Sequence, residues 1–384
     1  RRPYGLAFGP REQRLYVSNS WDDSVSVIDL ETFRVVDSLA TGGDPHGLIL
    51  DRSGEHLYVA NYANHTVSVI EVATGRTVKQ LRAGVKPLEV ALGPDGRHLY
   101  VSNLLTAEVP FRTAPISEVT VIDTEANIVV DRRRLPGANI SQGIAVSPDG
   151  DLAVVAVEIP KNLIPETQIA QGWMVTYGLA VLEARPGGRA AILLLDEMNL
   201  YYADPFGVAF SPDGETLLVT SSGVDTVSVL DVHRMRRTLK MEDGTIGLDD
   251  ETIGLFARHL GLSSEYVVAR IDTGHNPKGV VSASTGGRAY VANRLSDSIT
   301  VIDTASSEIV GTIDLGGPEV TTTVRRGEYL FNHAIISFQR QLSCTTCHPE
   351  NNVDGLLYDI AVDLGLGGNL VDNRTMRGVA HTGP

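Results

Sequence analysis

One β-rich unit recurs along the chain at a fixed period. The phrase LYVSN or LYVAN is followed each time by an alternating phrase such as SVSVID or TVSVIE. The first phrase stands at residues 15–19, 57–61, 99–103 and 289–293, with weaker copies at 153–157 and 217–221. Four strands per unit, repeated about every 42 residues, are typical of an all-β propeller. We therefore predict a propeller with six visible repeats within residues 1–317.

Short turn sequences separate the strands of these units, as in GPDG at 93–96 and SPDG at 147–150. A β-sandwich of repeated hairpins is the alternative, but sandwiches seldom keep a fixed internal period. The pattern fits six or seven blades, because residues ahead of Arg1 could contribute one more.

An apolar phrase precedes each LYVSN-like copy and predicts the innermost strand of the blade. In PHGLIL the second residue is His46, which we expect to line the channel along the propeller axis. The matching positions of the other units hold Tyr4, Leu88, Gln142, Phe206 and Lys278.

The repeats resemble the YVTN family of propeller repeats, named for the phrase that reads LYVSN or LYVAN here. The resemblance covers residues 1–317 and implies the propeller fold. Because one fold hosts many functions, it leaves the function open.

Three consecutive units carry insertions, at about residues 104–117, 158–177 and 235–265. Residues 249–261 read DDETIGLFARHLG, with an acidic start and apolar residues at helical spacing, and predict a short amphipathic helix. Tolerated sequence drift in a single loop would explain any one of these insertions. Three neighbouring insertions favour a sector of the propeller where a partner or an extra domain docks.

The composition is acidic, with 32 Lys and Arg residues against 47 Asp and Glu residues and a formal charge of −15. Phosphate backbones are bound by basic side chains, so the composition argues against a nucleic-acid surface. It favours a basic protein partner such as a cytochrome. No apolar run reaches the roughly 18 residues of a membrane span. The start at Arg1 without methionine indicates a processed or trimmed end.

The only two cysteines stand in LSCTTCHPE, residues 342–350. Cys344, Cys347 and His348 form C-x-x-C-H, the attachment sequence of haem c. The spacing lets both sulfurs bond one porphyrin, while the histidine becomes an axial ligand of the iron. We therefore predict thioether bonds at the cysteines and His348 as the proximal ligand.

Two alternatives compete for this motif. A redox disulfide would normally sit in a thioredoxin-like βαβ context, which is missing. A zinc site would need two further ligands, and only His333 and His381 lie nearby, without recognisable spacing. Covalent haem attachment generally takes place outside the bacterial cytoplasm, so we expect a periplasmic or extracellular protein.

The last residues resemble the first haem domain of bacterial di-haem cytochrome c peroxidases. A helix sequence R-G-x-x-L-F is matched at 326–331 and a G-x-G-G turn at 365–368. The family's N-x-x-T/S segment corresponds to Asn373 to Thr375, which is one residue shorter than that pattern. The resemblance implies a small α-helical cytochrome c-like domain over residues 318–384, with His348 on the peroxidatic haem. It also implies a calcium ion near Asn373. The family's second C-x-x-C-H does not occur in residues 318–384, so we expect this domain to continue beyond Pro384, where a second haem could follow.

The sixth iron position is open to three candidates, His381, Met376 and His333. His381, in a turn bounded by Gly and Pro, is the first choice, and Met376 would raise the potential further. A histidine ligand would give a low-spin electron carrier, whereas an open position would admit a substrate such as peroxide. Alternatively, His381 only hydrogen-bonds a haem propionate.

Two functional hypotheses follow. In the first, the protein is a periplasmic haem oxidoreductase of peroxidase type, and the propeller docks its substrate or redox partner. In the second, it is a non-catalytic electron-transfer or scaffold subunit of a larger redox complex. Enzyme chemistry would need a distal acid or base near an iron-bound ligand, and the sequence offers none with matching context.

Overall fold

Six four-stranded antiparallel sheets follow one another along the chain, and each is a meander in which strands pair in sequence order. The computed structural model describes residues 2–9, 13–108, 110, 113–163, 174–318, 320–359, 370–372 and 375–376. Neighbouring blades pack along their innermost strands, as expected for a propeller. The prediction of six propeller blades is confirmed.

The strands of each blade run from the axis outwards. The first three blades are β1 Pro3–Phe8, β2 Arg14–Asn19, β3 Ser24–Asp29 and β4 Arg34–Ala40; β5 Pro45–Leu50, β6 His56–Asn61, β7 Thr66–Glu71 and β8 Arg76–Arg82; and β9 Val85–Leu92, β10 His98–Leu105, β11 Ile116–Asp123 and β12 Ile128–Pro136. The last three blades are β13 Ile144–Val146, β14 Leu152–Pro160, β15 Val175–Glu183 and β16 Ala190–Leu194; β17 Pro205–Phe210, β18 Thr216–Ser221, β19 Thr226–Asp231 and β20 Val267–Asp272; and β21 Pro277–Ser282, β22 Arg288–Asn293, β23 Ser298–Asp303 and β24 Glu308–Asp314.

The two central strands of a blade are apolar on both faces because a blade lies on each side of them. All nine residues of β14 are buried, for example, whereas the outer strand β8 buries only Leu81. The core therefore consists of layers between blades, such as Val25 and Val27 of the first blade against Leu48 and Leu57 of the second. This explains why the repeat keeps short, β-branched apolar phrases.

The asparagine that ends the LYVSN-like phrase clamps the hairpin of its blade. In the second blade the Asn61 Nδ2 donates to Thr66 Oγ1 at 3.0 Å and to Ser68 Oγ at 2.8 Å. Its Oδ1 accepts from the backbone N–H of Gly42 at 3.1 Å. Asn293 repeats the side-chain contacts with Ser298 and Thr300 in the sixth blade. The polar end of the repeat thus joins two strands to the loop that enters the blade.

The innermost strands surround the axis as predicted. The His46 ring is buried, stacks on Tyr4 at a centroid distance of 4.1 Å and lies 4.7 Å from the Tyr62 ring. Leu88 and Gln142 line a small gap beside Lys278. The axial region is therefore filled mainly by side chains, not by an open water channel.

The insertions lengthen two hairpins and add two helices. Strand β14 ends at Pro160 and strand β15 begins at Val175, so both strands reach into the second insertion. The third insertion contains α1, Val232–Thr238, and α2, Asp250–Phe256. Helix α2 follows the predicted acidic start, with Asp249 as its N-cap, but it stops at Phe256, so the expected helix over 249–261 was too long. Ala257 caps it, and the following residues fold into turns before Val267.

The segment after the sixth blade begins with α3, Thr323–Asn332, and α4, Cys344–Cys347. Two short strands follow, β25 Leu357–Asp359 and β26 Leu370–Asp372. These elements do not by themselves define a cytochrome c fold, so that part of the prediction stays untested. Within the described residues, every helix is too short or too polar to cross a bilayer.

We predict that Asn61→Ala lowers the free energy of unfolding by about 2–4 kcal/mol, because buried Ser68 and the Gly42 N–H lose their partner. Gln80→Ala on the exposed outer strand of the same blade is the control and should change it by less than about 0.5 kcal/mol. Chemical denaturation of both variants measures the difference. If Asn61→Ala and Gln80→Ala unfold at the same denaturant concentration, the asparagine clamp contributes nothing to the stability of the blade.

Candidate haem-attachment site

A buried carboxylate of the fifth blade fixes the turn that carries the C-x-x-C-H sequence. Asp204 stands just before β17, and its Oδ2 and Oδ1 accept hydrogen bonds from Ser343 Oγ and Thr346 Oγ1, each at 2.6 Å. Ser343 and Thr346 also form the capping box that starts α4. Burial raises the pKa of Asp204, and the two hydroxyl donors oppose that shift. The attachment turn is thus bound to the propeller by its own capping residues.

Further hydrogen bonds join the C-terminal segment to the fourth and fifth blades. Tyr177 Oη donates to the Gln341 carbonyl at 2.6 Å, and Asn162 Nδ2 donates to the Leu357 carbonyl at 2.8 Å. The backbone N–H of Ala334 donates to the Gly223 carbonyl at 2.8 Å. Because Asn162 and Tyr177 lie in the second insertion, that insertion contacts the C-terminal segment.

The hydrogen bonding of His348 indicates which nitrogen of its ring could bind a metal. Its Nδ1 lies 3.0 Å from the carbonyl oxygen of Asn352. A carbonyl oxygen only accepts, so Nδ1 carries a proton, and in the neutral ring Nε2 is then the nitrogen with the lone pair. Metal-bound histidines are typically oriented by a hydrogen bond of this kind. The tautomer of His348 therefore suits an axial ligand.

His348 borders a cavity of about 800 Å³ between the innermost strands of the propeller and helices α3 and α4. This volume is within the range of sites that enclose a cofactor. Tyr4, Phe206 and Lys278 contribute from the innermost strands. The other lining residues are Arg2, Pro3, Trp21, Glu89, Gly279, Arg294, Val324, Gly327, Glu328, Phe331, Asn332, Thr345, Glu350 and Asn351. The aromatic walls suit a planar apolar ring, while the three cationic side chains share the cavity with the carboxylates of Glu89, Glu328 and Glu350.

Charges in this cavity are paired. Burial raises the pKa of Glu350, but Lys278 and Arg2 outweigh burial and lower it to about 2. Burial lowers the pKa of Lys278 to about 8, and its Nζ lies 3.9 Å from Glu350 Oε1 and 4.3 Å from the centroid of Phe206. Burial also raises the pKa of Glu89 to about 7. The cavity therefore holds fixed charges and one carboxyl that titrates near neutrality.

Neither cysteine is in a disulfide, and both stand on the same turn as His348. Burial raises the pKa of Cys347 to about 12, and its Sγ lies 3.6 Å from Tyr358 Oη. Burial also raises the pKa of Cys344. A redox-active C-x-x-C pair has lowered thiol pKa values instead. Among the described residues, no group of three or more His, Cys, Asp or Glu is arranged to hold a metal ion.

These observations fit haem c. The cysteines form no disulfide, His348 has the tautomer of a ligand, and it borders a cavity of suitable volume. One mismatch is that neither cysteine is among the described residues lining the cavity, although Thr345 between them is. Cys344 and Cys347 would hold the porphyrin by thioether bonds and His348 would hold the iron, which supplies one-electron chemistry.

The candidates for the sixth ligand of the iron differ in their surroundings. His333 is buried with Nδ1 accepting from the Ile335 N–H at 2.9 Å and Nε2 at 3.3 Å from Asp225 Oδ2, so both nitrogens are engaged. Met376 is partly exposed, and its backbone N–H donates to the carbonyl of Asn351, which lines the cavity. His381 and Asn373 lie outside the described residues.

Sequence reasoning missed Asp204, Asn352 and Glu89. A signal for Asp204 existed, because Asp-Pro precedes the innermost strand in two blades, at 44–45 and 204–205. Asn352 acts through its backbone, so no side-chain pattern could have identified it. Glu89 replaces the glycine found at the equivalent place of most units, which was a visible departure from the repeat.

Fold and site together define a β-propeller protein with a docked C-terminal segment that carries a candidate haem-attachment turn. A YNCE-like beta-propeller family model matches residues 5–95. Hydrazine synthase subunit beta of Kuenenia stuttgartiensis is 31% identical over 191 residues, which are 49% of this chain and 47% of that protein. The chain thus spans about half the length of this curated relative.

The solved structure of Kuenenia stuttgartiensis hydrazine synthase also resembles the chain. It matches with a TM-score of 0.55 and 25% identity, over 79% of this chain and 96% of the matched chain. The structural likeness therefore extends across most of the propeller, well beyond the residues that the family model covers.

We predict that Asp204→Ala lowers the free energy of unfolding by about 2–4 kcal/mol, because the buried Ser343 and Thr346 hydroxyls lose their acceptor. Amide hydrogen exchange should also accelerate over residues 343–348. Asp272→Ala, on the exposed end of the last strand of the same blade, is the matched control. If both variants exchange alike in that segment, Asp204 does not hold the turn.

Proposed function

We propose that this protein is a c-type haem electron-transfer subunit of a larger redox complex, with the propeller as its docking module. The observation that carries the proposal is the C-x-x-C-H turn, whose His348 has Nδ1 bound to a carbonyl and borders a large cavity. Electron transfer needs only a haem edge near a complementary surface, so it requires no further catalytic group.

The subunit role is supported by similarity to a protein that is itself a subunit, hydrazine synthase subunit beta. The alignment with a solved hydrazine synthase covers most of the propeller. A hetero-complex would also use the insertions and the acidic charge of −15, which favours a basic partner. Because covalent haem attachment generally takes place outside the bacterial cytoplasm, the proposed location is the periplasm or the outside of the cell.

A peroxidase-type enzyme is the second candidate, and Glu89 is the observation that favours it. Glu89 borders the same cavity as His348, and burial raises its pKa to about 7. A carboxyl that titrates near neutrality can act as a general acid or base. The comparisons favour the subunit role over this one, because they point to a subunit of a redox complex.

We expect one haem bound covalently through Cys344 and Cys347. Denaturing intact mass spectrometry should give the chain plus one haem, and the double variant Cys344→Ala, Cys347→Ala should lose that mass. Thr345→Ser, between the two thiols, is the control and should keep it. An unmodified mass for the wild-type protein produced with haem-attachment machinery would disprove the haem proposal.

Spectra of the resting ferric protein should distinguish an electron-transfer subunit from a peroxidase. For an electron-transfer subunit we expect a low-spin optical and electron-spin resonance spectrum that peroxide and cyanide leave unchanged. A high-spin signal that shifts with either ligand, and peroxide turnover that falls in Glu89→Gln but not in the exposed-site control Glu55→Gln, would favour the peroxidase.

A further inference from the structure

One carboxylate stands at a repeat position that otherwise holds glycine. The third residue of the innermost-strand phrase is glycine in five blades, whereas the third blade has Glu89 there; the glycines are Gly5, Gly47, Gly143, Gly207 and Gly279. A Cβ added to Gly47 would lie 2.7 Å from Glu89 Oε2. The Glu89 carboxyl therefore occupies space that the glycine of the second blade leaves open.

Glu89 borders two cavities. The first is the candidate haem cavity, which His348 also borders. The second has a volume of about 490 Å³ and is lined by Leu6, Leu48 and Arg52 among others. Arg52 is exposed, so the second cavity reaches the solvent. Within the part of the chain that the structure describes, Glu89 is the residue that the two cavities share.

The Glu89 carboxyl is not held by the protein around it. Among the described residues, only its backbone takes part in hydrogen bonds, with Ser102, and its side chain is in no ion pair. The Tyr4 hydroxyl borders the same cavity and is buried without a hydrogen-bond partner in the described chain. Buried polar groups of this kind are typically satisfied by water. The carboxyl is therefore placed to exchange a proton with water from either cavity.

The surroundings of Glu89 make its protonation sensitive to nearby charge. Burial raises the pKa of Glu89 to about 7, so the carboxyl titrates near neutrality. An electron added to a haem in the neighbouring cavity would bring a negative charge into a region of low dielectric constant. A nearby negative charge raises the pKa of a carboxyl further. Reduction would therefore favour the protonated form of Glu89.

We propose that Glu89 is a redox-linked proton site, which takes up one proton when the haem gains one electron and releases it when the haem is oxidised. The electron comes from a one-electron donor protein, and the proton comes from water in the second cavity. The net charge around the haem thus stays constant during electron transfer. This inference rests on the proposed function, because it needs a haem beside His348.

Other charged and titratable groups face Glu89 from several elements. Those near the candidate haem cavity are Arg2, Tyr4, His46, Lys278, His348 and Glu350. Arg294 and Glu328 also border it and pair with each other, and the second cavity has Asp51 and Arg52. Burial lowers the pKa of Lys278 to about 8, so this amine also titrates close to neutrality. Its effect, like that of the haem propionates, remains in a variant that lacks only the Glu89 carboxyl.

Potentiometric titration of the haem-loaded full protein tests the proposal. The reduction potential of the wild type should fall as the pH rises through about 7, by up to about 59 mV per pH unit, the shift of a one-electron couple for a tenfold change. Glu89→Gln should lose most of that slope, whereas the exposed-site control Glu55→Gln should keep it. Equal slopes in the wild type and Glu89→Gln would overturn the proposal.

A second variant guards against a local folding defect. Glu89→Gly introduces the residue that the other five units hold, and it should lose the slope as Glu89→Gln does. Infrared difference spectra of the reduced and oxidised protein should show a protonated carboxyl that forms on reduction in the wild type and not in Glu89→Gln. The same carboxyl signal in both proteins would mean that another group takes up the proton.

The outcomes distinguish this proposal from the proposed function. A protein without covalently bound haem by intact mass would contradict the proposed function itself. Bound haem whose potential responds to pH equally in the wild type and Glu89→Gln would contradict only the role of Glu89.

Discussion

The buried carboxylate of Asp204 connects the two parts of this protein. A buried charge is costly unless hydrogen-bonded, and here both oxygens accept from hydroxyls of the attachment turn. Those hydroxyls belong to Ser343 and Thr346, which also start the helical turn between the cysteines. The interaction that satisfies Asp204 therefore also fixes the position of Cys344, Cys347 and His348 on the propeller.

The candidate site depends on this docking because neither part forms it alone. The propeller contributes innermost-strand residues such as Tyr4 and Phe206, and the C-terminal segment contributes Phe331 and His348. Cations such as Lys278 lie at the junction, where Glu350 neutralises them. A site between two packed units suits a protein that passes electrons to a partner, since its environment can be shaped from either side.

Much of the fold followed from local pattern. LYVSN-like phrases became the second strands, and their asparagines proved to clamp hairpins, because a fixed period places the same polar group at the same strand end each time. The helix over 249–261 was overestimated, since helical spacing of apolar residues does not determine where packing stops. His333 looked like a ligand, but Asp225 and the Ile335 N–H engage both of its nitrogens.

The sequence alone determined the repeat, its six visible copies and the C-x-x-C-H motif, because strand periodicity and a five-residue attachment sequence are encoded by neighbours along the chain. Only the tertiary structure decided the tautomer of His348, the buried role of Asp204 and the charge state of Glu350. Those properties depend on the Asn352 carbonyl, on hydroxyls 139 and 142 residues away, and on burial beside Arg2 and Lys278. Contacts between residues that are far apart in sequence, and the exclusion of water from them, arise only when the C-terminal segment packs against the blades.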